Sequence, residues 1–318
     1  PDPTDNPKLH YQDQPAIPHG TLAHTDDYFT ALKERDHLVH FPFMSFHYVE
    51  RLIEQASIDP AVTEIKISLY RVANESPLTT ALLKALDNGK KVFIFIEAKA
   101  RFDEQNNIKW GTILEENGAK VIYSYPGIKV HSKILCIERI ENETPVLYGY
   151  IGTGNFNEKT SKIYSDTSLF TSNEKLTFEA NKAFQFFKNN YKVYNFKHLI
   201  VAPHQSRDKF NELIDKEIEL AKIYKKVPVW FNKPNQKNSQ ILINYMKLRE
   251  QKTPVTFFEL EKSCERIANF RSSYQAMKTI SERNNAKVFD EVGRIISLWE
   301  PGKSFVEKEY ERFLRRNS

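Results

Sequence analysis

The run VHSKILCIERIENETPVLYGYIGTGNFN, residues 130–157, holds two β-rich stretches, Lys133 to Glu138 and Val146 to Ile151, and closes on Gly152-Thr153-Gly154-Asn155-Phe156-Asn157. His131 and Lys133 are two apart at the mouth of the first strand, a spacing that turns both side chains to one face. A neutral imidazole nitrogen can attack phosphorus, and an ammonium beside it stabilises charge on the transferring oxygens. An isolated His-x-Lys is more often a solvent-facing strand end. Here a glycine turn follows the second strand and offers backbone N–H groups and two amides, on Asn155 and Asn157, to phosphate oxygens.

Upstream, strands and helices alternate. Ile65 to Tyr70 reads as a strand, Pro77 to Asn88 as a helix stopped by Gly89, and Lys91 to Glu97 as a second strand, which together make a βαβ unit. Ile108 to Asn117 reads as the next helix, ended by Gly118, and Lys120 to Tyr123 as a strand. Asp26 or Asp27 is a candidate cap for a short helix through Leu32, and Leu38 to Phe41 begins the main domain. Downstream, Leu176 to Phe187 and Ser206 to Lys226 are helical; Ser206 is the candidate cap of the second, whose apolar residues are Phe210, Leu213, Ile214 and Ile218. The expected fold is an α/β domain with a largely buried sheet flanked by helices.

Composition sets the frame. The 318 residues suffice for about two domains, and 40% hydrophobic with 27% charged residues fits a globular chain. Cys136 and Cys264, far apart, give neither a disulfide framework nor a paired-cysteine metal motif, so a reducing, cytoplasmic setting is the expectation. No apolar run approaches the roughly 20 residues of a membrane helix, and no membrane insertion is expected. Residues 1–21, with five prolines, read as an extended lead-in. Charge divides unevenly: residues 1–221 sum to −4 and residues 222–318 to +9. A basic segment of this kind suits an acidic partner such as nucleic acid.

His-x-Lys followed about twenty residues later by Gly-x-Gly-Asn resembles the signature of the phospholipase D superfamily, with Glu138 where that signature usually carries its acidic residue. Within it, Leu69-Tyr70-Arg71, Ala100-Arg101-Phe102-Asp103-Glu104, Lys129-Val130-His131-Ser132-Lys133 and Gly152-Thr153-Gly154-Asn155-Phe156-Asn157 in order resemble the phosphohistidine domain of the long-chain polyphosphate kinases. His40-Phe41-Pro42-Phe43 with Ser45-Phe46 resembles the beginning of the same domain. The resemblance implies a phospholipase D-like mixed sheet over residues 22–226. It also implies reversible transfer of the terminal phosphate of ATP to polyphosphate, with ADP as product, through a phosphohistidine at His131. Lys133 and Asn155 would assist, Gly152 and Gly154 would cradle phosphate, and Tyr164 would lie near the nucleotide. Arg71 and Arg101 would belong to the magnesium and phosphate site. Arginine forks suit phosphate but are not natural ligands of a cation, so Mg²⁺ is expected on phosphate oxygens, water and nearby carboxylates such as Asp103.

The family carries two domains ahead of this one and another after it, and the match stops near Lys226. Weak or absent kinase activity is therefore the expectation. With one His-x-Lys in the chain, a homo-oligomer or another subunit would complete a two-histidine site. Other readings are a dimeric phospholipase D-like nuclease or phosphodiesterase, and a non-catalytic phosphate- or DNA-binding protein.

Pro228 and Pro234 mark an expected linker to a basic, mostly helical domain over residues 227–318. Ser239 to Leu248, Phe257 to Arg266 and Arg271 to Arg283 read as helices, Thr253 to Thr256 as an extended piece, and Lys287 to Phe289 with Arg294 to Leu298 as a hairpin. Three helices and a hairpin resemble a winged helix-turn-helix, so residues 235–299 are a candidate DNA-binding segment. Lys303 to Arg316 reads as a mixed-charge helix forming a solvated cap.

Overall fold

The computed structural model describes residues 14–71, 76–98, 100, 104–125, 129–192, 194–203, 205–281 and 284–317. They form two compact units, Pro1–Leu199 and Ile200–Ser318.

The first unit is built on a seven-stranded mixed sheet in the order β1-β7-β6-β5-β2-β3-β4. The strands are β1 (His37–Phe41), β2 (Val62–Leu69), β3 (Lys91–Ile96), β4 (Lys120–Tyr123), β5 (Lys133–Glu141), β6 (Thr144–Gly152) and β7 (Asp166–Thr171). Helices α3 (Pro77–Asp87) and α4 (Glu104–Glu116) connect the parallel strands β2, β3 and β4, while β5, β6, β7 and β1 are antiparallel. The expected mixed sheet flanked by helices is borne out.

β3 shows why the sheet needs cover on both faces. Val92, Ile94 and Ile96 join the core with Leu78 and Leu82 of α3 and with Leu52 and Ile53 of α2 (His47–Ile58). The alternate residues Phe93 and Phe95 meet Phe184 and Phe187 of α6 (Glu174–Lys188), with ring centroids 5.8 and 4.6 Å apart. A strand apolar at five successive positions, Val92 to Ile96, must be enclosed on both sides. Short helix α1 (Tyr28–Glu34) is capped by Asp27, whose carboxylate accepts from Thr30 N–H at 3.1 Å. β5 and β6 are joined by two residues, Asn142 and Glu143, with φ of 48° and 65°. Two positive φ values make the tight reverse turn whose twist matches paired strands.

The order of ends matters for function. β2 and β3 run parallel, β5 runs against β2, and β6 against β5. The last residues of β2, β3 and β6 therefore lie on the same rim as the first residues of β5, and β7, antiparallel to β6, begins there too.

In the second unit, α7 (Ser206–Asn232), α8 (Lys237–Gln251), α9 (Phe257–Ser263), α10 (Phe270–Ala276) and α11 (Glu300–Asn317) surround a three-stranded sheet. Its order is β8-β10-β9, from β8 (Val255–Thr256), β9 (Phe289–Val292) and β10 (Ile295–Leu298). Several expectations change here. The units divide at Leu199, not at Lys226, because Leu220, Ile223, Val227, Trp230 and Phe231 of α7 pack with Ile241, Leu242 and Val306 in one core. Pro228 lies inside α7 rather than in a linker. Ser206 is the first helical residue, and Gln205 holds the cap position without a side-chain bond to the first turn. Phe210, Leu213, Ile214 and Ile218 are exposed; the buried stripe of α7 starts at Glu219. α11 is no solvated cap, since Val306 and Tyr310 are buried and Gly302 lies against Ile223. α10 ends at Ala276, short of Lys278, and Arg283 lies outside the described residues.

Candidate active site

His131 precedes β5 and Lys133 opens it. The Lys133 ammonium lies 2.9 Å from His131 Nδ1 and 2.6 Å from the His131 carbonyl oxygen, to which it donates. Lys133 is 3% exposed. Burial lowers its pKa to about 8, with Asp166 pulling in the opposite direction. The pKa of His131 is also lowered, first by burial and then by Lys133, Lys129 and Arg71, while Glu97 opposes them. The lowered pKa favours the neutral imidazole, the form a nucleophile requires.

Other rim residues hold this pair. Tyr70, at the end of β2, sets its ring edge-on to His131 with centroids 4.7 Å apart. Lys129 and Lys133 lie 5.5 and 5.2 Å from the centroid of the same ring. Glu97, following β3, accepts from Val130 N–H at 2.9 Å and from the Ser124 hydroxyl at 2.7 Å. Asn107 donates to the carbonyls of Tyr70 and Glu97 at 2.9 and 3.1 Å, joining the ends of β2 and β3.

Lys133 is directly opposite Gly152 in the β5–β6 ladder. The glycines are required by close approach. A Cβ on Gly152 would lie 2.6 Å from the Tyr150 hydroxyl and 2.9 Å from Ser168 Oγ, and one on Gly154 would lie 2.5 Å from Asp166 Oδ2. Asp166 Oδ1 accepts from the Thr153 hydroxyl at 2.7 Å, which fixes the turn to β7. Asn157 caps the short helix α5 (Glu158–Ser161), accepting from Lys159 and Thr160 N–H at 3.0 and 3.1 Å. Asn155 Oδ1 and Ser132 Oγ are buried with no hydrogen-bond partner among the described residues.

The structure thus gathers His131, Lys133, Gly152, Gly154, Asn155 and Arg71 at one rim. Tyr164 stands 59% exposed on the segment after α5. Arg101 and Asp103 lie outside the described residues. Glu138 does not join the site: five residues beyond Lys133, it is on the other strand face and about 17 Å along, where it accepts from the Thr63 hydroxyl at 2.8 Å. Tyr70, Glu97, Asn107 and Asp166 were not picked out as site residues from sequence. Tyr70 sits inside the Leu69-Tyr70-Arg71 motif and Asp166 two residues beyond Tyr164, and that nearness in sequence is the available signal.

Comparison with known proteins agrees with this geometry. Residues 27–193 match the family described as polyphosphate kinase C-terminal domain 1. The polyphosphate kinase of Vibrio cholerae is 42% identical over 222 residues, covering 69% of this chain and 32% of that protein. That of Escherichia coli K12 is 46% identical over 190 residues, covering 60% of this chain and 28% of that protein. The crystal structure of polyphosphate kinase from Porphyromonas gingivalis superposes with a TM-score of 0.60 at 34% identity, over 71% of this chain and 37% of that one. The chain spans about a third of the length of these relatives. With the family match extending over more than half of its residues, the chain belongs to the polyphosphate kinase family.

Proposed function

We propose that the first unit transfers the terminal phosphate of ATP to polyphosphate through a phosphohistidine at His131. The observation that carries this reading is the buried Lys133 ammonium 2.9 Å from His131 Nδ1. A lysine donating to Nδ1 keeps the imidazole proton on Nε2, whereas attack through Nε2 needs that proton on Nδ1. When phosphate oxygens take over the ammonium, Nδ1 is released to hold the proton. Nε2 then bonds to the γ-phosphorus as the bond to the bridging oxygen breaks, and ADP leaves as an anion. A terminal oxygen of polyphosphate attacks the same phosphorus in turn, and the N–P bond breaks.

Both attacking and leaving oxygens in this sequence are phosphate anions, so no proton has to be supplied. Cleavage of a phosphodiester releases an alkoxide and calls for an acid. A single His-x-Lys therefore suits phosphate-to-phosphate transfer better than the nuclease reading. Asn155 Oδ1 and Ser132 Oγ, buried without partners among the described residues, are suitable contacts for the incoming phosphate, and the Asn155 amide can present either end to it.

Magnesium fits this donor set only indirectly. Among the described residues no cluster of three or more His, Cys, Asp or Glu could hold a metal, and the Glu97 carboxylate accepts from Ser124 and Val130. The ion's place is on the phosphates it accompanies, and no step above is assigned to it.

The test is incubation with Mg²⁺ and γ-labelled ATP, beside His131→Ala. An acid-labile, base-stable adduct absent from the variant is the expected result. An adduct that persists in His131→Ala, or none in the unaltered chain although polyphosphate binds, would overturn the reading.

A further inference from the structure

We propose that residues 237–299 bind duplex DNA, with α10 in the major groove and the β9–β10 hairpin against the neighbouring backbone. The order is helix α8, strand β8, helices α9 and α10, then the hairpin, with β8 completing the small sheet beside β10. This arrangement presents one helix outward with a hairpin at its flank.

α10 is fixed from behind. Phe270, Tyr274 and the following Met277 are buried in the core, and Tyr274 meets Phe257 and Phe289 with centroids 5.2 and 5.6 Å apart. Glu291 of β9 accepts from the Tyr274 hydroxyl at 3.1 Å and from Lys278 at 2.7 Å, which ties the hairpin to the helix. Helical geometry then turns Arg271, Ser272, Gln275 and, one turn on, Thr279 to solvent; all four are exposed. These are side chains that read base edges: Arg for guanine, Gln for adenine, Ser and Thr for either.

Charge agrees with the choice of partner. Residues 237–299 contain 11 Lys and Arg against 7 Asp and Glu. Lys278 pairs with Glu291 at 2.7 Å, and Arg271 with Glu261 at 2.6 Å, a partner it exchanges for a base edge on binding; Glu265, exposed beside Arg266, is a further carboxylate of this face. Arg266 in the α9–α10 turn and Arg294 at the hairpin tip are exposed and placed for phosphate contacts. An α-helix fits the B-form major groove of about 12 Å but not the deep, narrow groove of RNA duplexes.

The experiment measures fluorescence anisotropy of a labelled 25-base-pair mixed-sequence DNA with the whole chain across a salt series. Expected are a Kd of about 10⁻⁴ to 10⁻⁶ M that weakens steeply with salt, and at least tenfold weaker binding on Arg271→Ala with Arg294→Ala. Ser272→Glu with Gln275→Glu, which touches only exposed positions, is expected to weaken binding as much while leaving the melting temperature and His131 labelling unchanged. Lys133→Ala should leave DNA binding intact. The proposal is overturned by no binding at low salt, by equal affinity for an RNA duplex, by indifference to the α10 variants, or by loss with Lys133→Ala alone, which would place DNA in the phosphotransfer site.

Discussion

Lys133 and Gly152 face each other as partners across the β5–β6 ladder, so the ammonium beside His131 and the backbone that begins the glycine turn share one cross-strand position. The spacing between cation and glycine turn is thereby set by strand pairing, which is stiffer than a loop.

Gly154→Ala should separate cradle geometry from chemistry. The new Cβ would lie 2.5 Å from Asp166 Oδ2, whose partner oxygen is held by Thr153. Overpacking of this kind costs about 1–3 kcal/mol. A lowered urea midpoint is expected, with phosphohistidine labelling reduced about tenfold or more, as for small displacements of reacting groups. Unchanged labelling would show that the turn does not position phosphate.

The pH dependence of labelling should be bell-shaped. His131 must be neutral, and its lowered pKa puts the acid limb below 6.5. Lys133 must be charged, and its pKa of about 8 puts the alkaline limb there. These limbs belong to kcat/KM for ATP, which reports the free protein. Lys133→Arg, whose charge persists at high pH, should remove the alkaline limb even where it slows the reaction.

Glu97→Gln should lower the His131 pKa further, because the Glu97 charge is the influence that raises it. NMR titration of the imidazole is the direct measurement, and the acid limb of labelling should move to lower pH with it. An upward movement would mean that loss of the Val130 contact has reorganised the loop.

Glu143→Gly should stabilise the chain. Glu143 has φ of 65° in the second position of the β5–β6 turn, where glycine avoids the roughly 1 kcal/mol or more that a Cβ costs. Asn-Gly is the favoured pair for this turn. A higher melting temperature with unaltered labelling is expected.

Much of the architecture was legible because apolar spacing and turn residues agreed. β4 has the expected bounds, Lys120–Tyr123, and α3 and α4 end near Gly89 and Gly118, both with positive φ. β7 was not foreseen, since only Leu169 and Phe170 in Asp166–Thr171 are apolar and its buried positions include Ser168 and Thr171. α2 was passed over although Val49, Leu52, Ile53 and Ala56 have helical spacing and are buried. The exposed Phe210, Leu213, Ile214 and Ile218 show the opposite failure, in which apolar spacing identified a helix but not its buried face. In the site, His131, Lys133 and the glycine turn were readable because they are close in sequence. Glu97 and Asn107 reach it only through the pairing of β2 with β3 and of β2 with β5, which local patterns do not encode.

The turn at Asn142 and Glu143 stands at the opposite end of the hairpin from His131, about 30 Å of strand away at 3.3 Å per residue. Adding or removing one residue there would slide one arm past the other, and side-chain alternation would carry the slip along the ladder until Lys133 no longer met Gly152. The turn is the zero mark of a ruler on which the pairing of Lys133 with Gly152 is the ninth graduation. Substitutions there are expected to be tolerated and changes of length are not, so an active site can be silenced by an insertion at a distant surface that touches none of its groups.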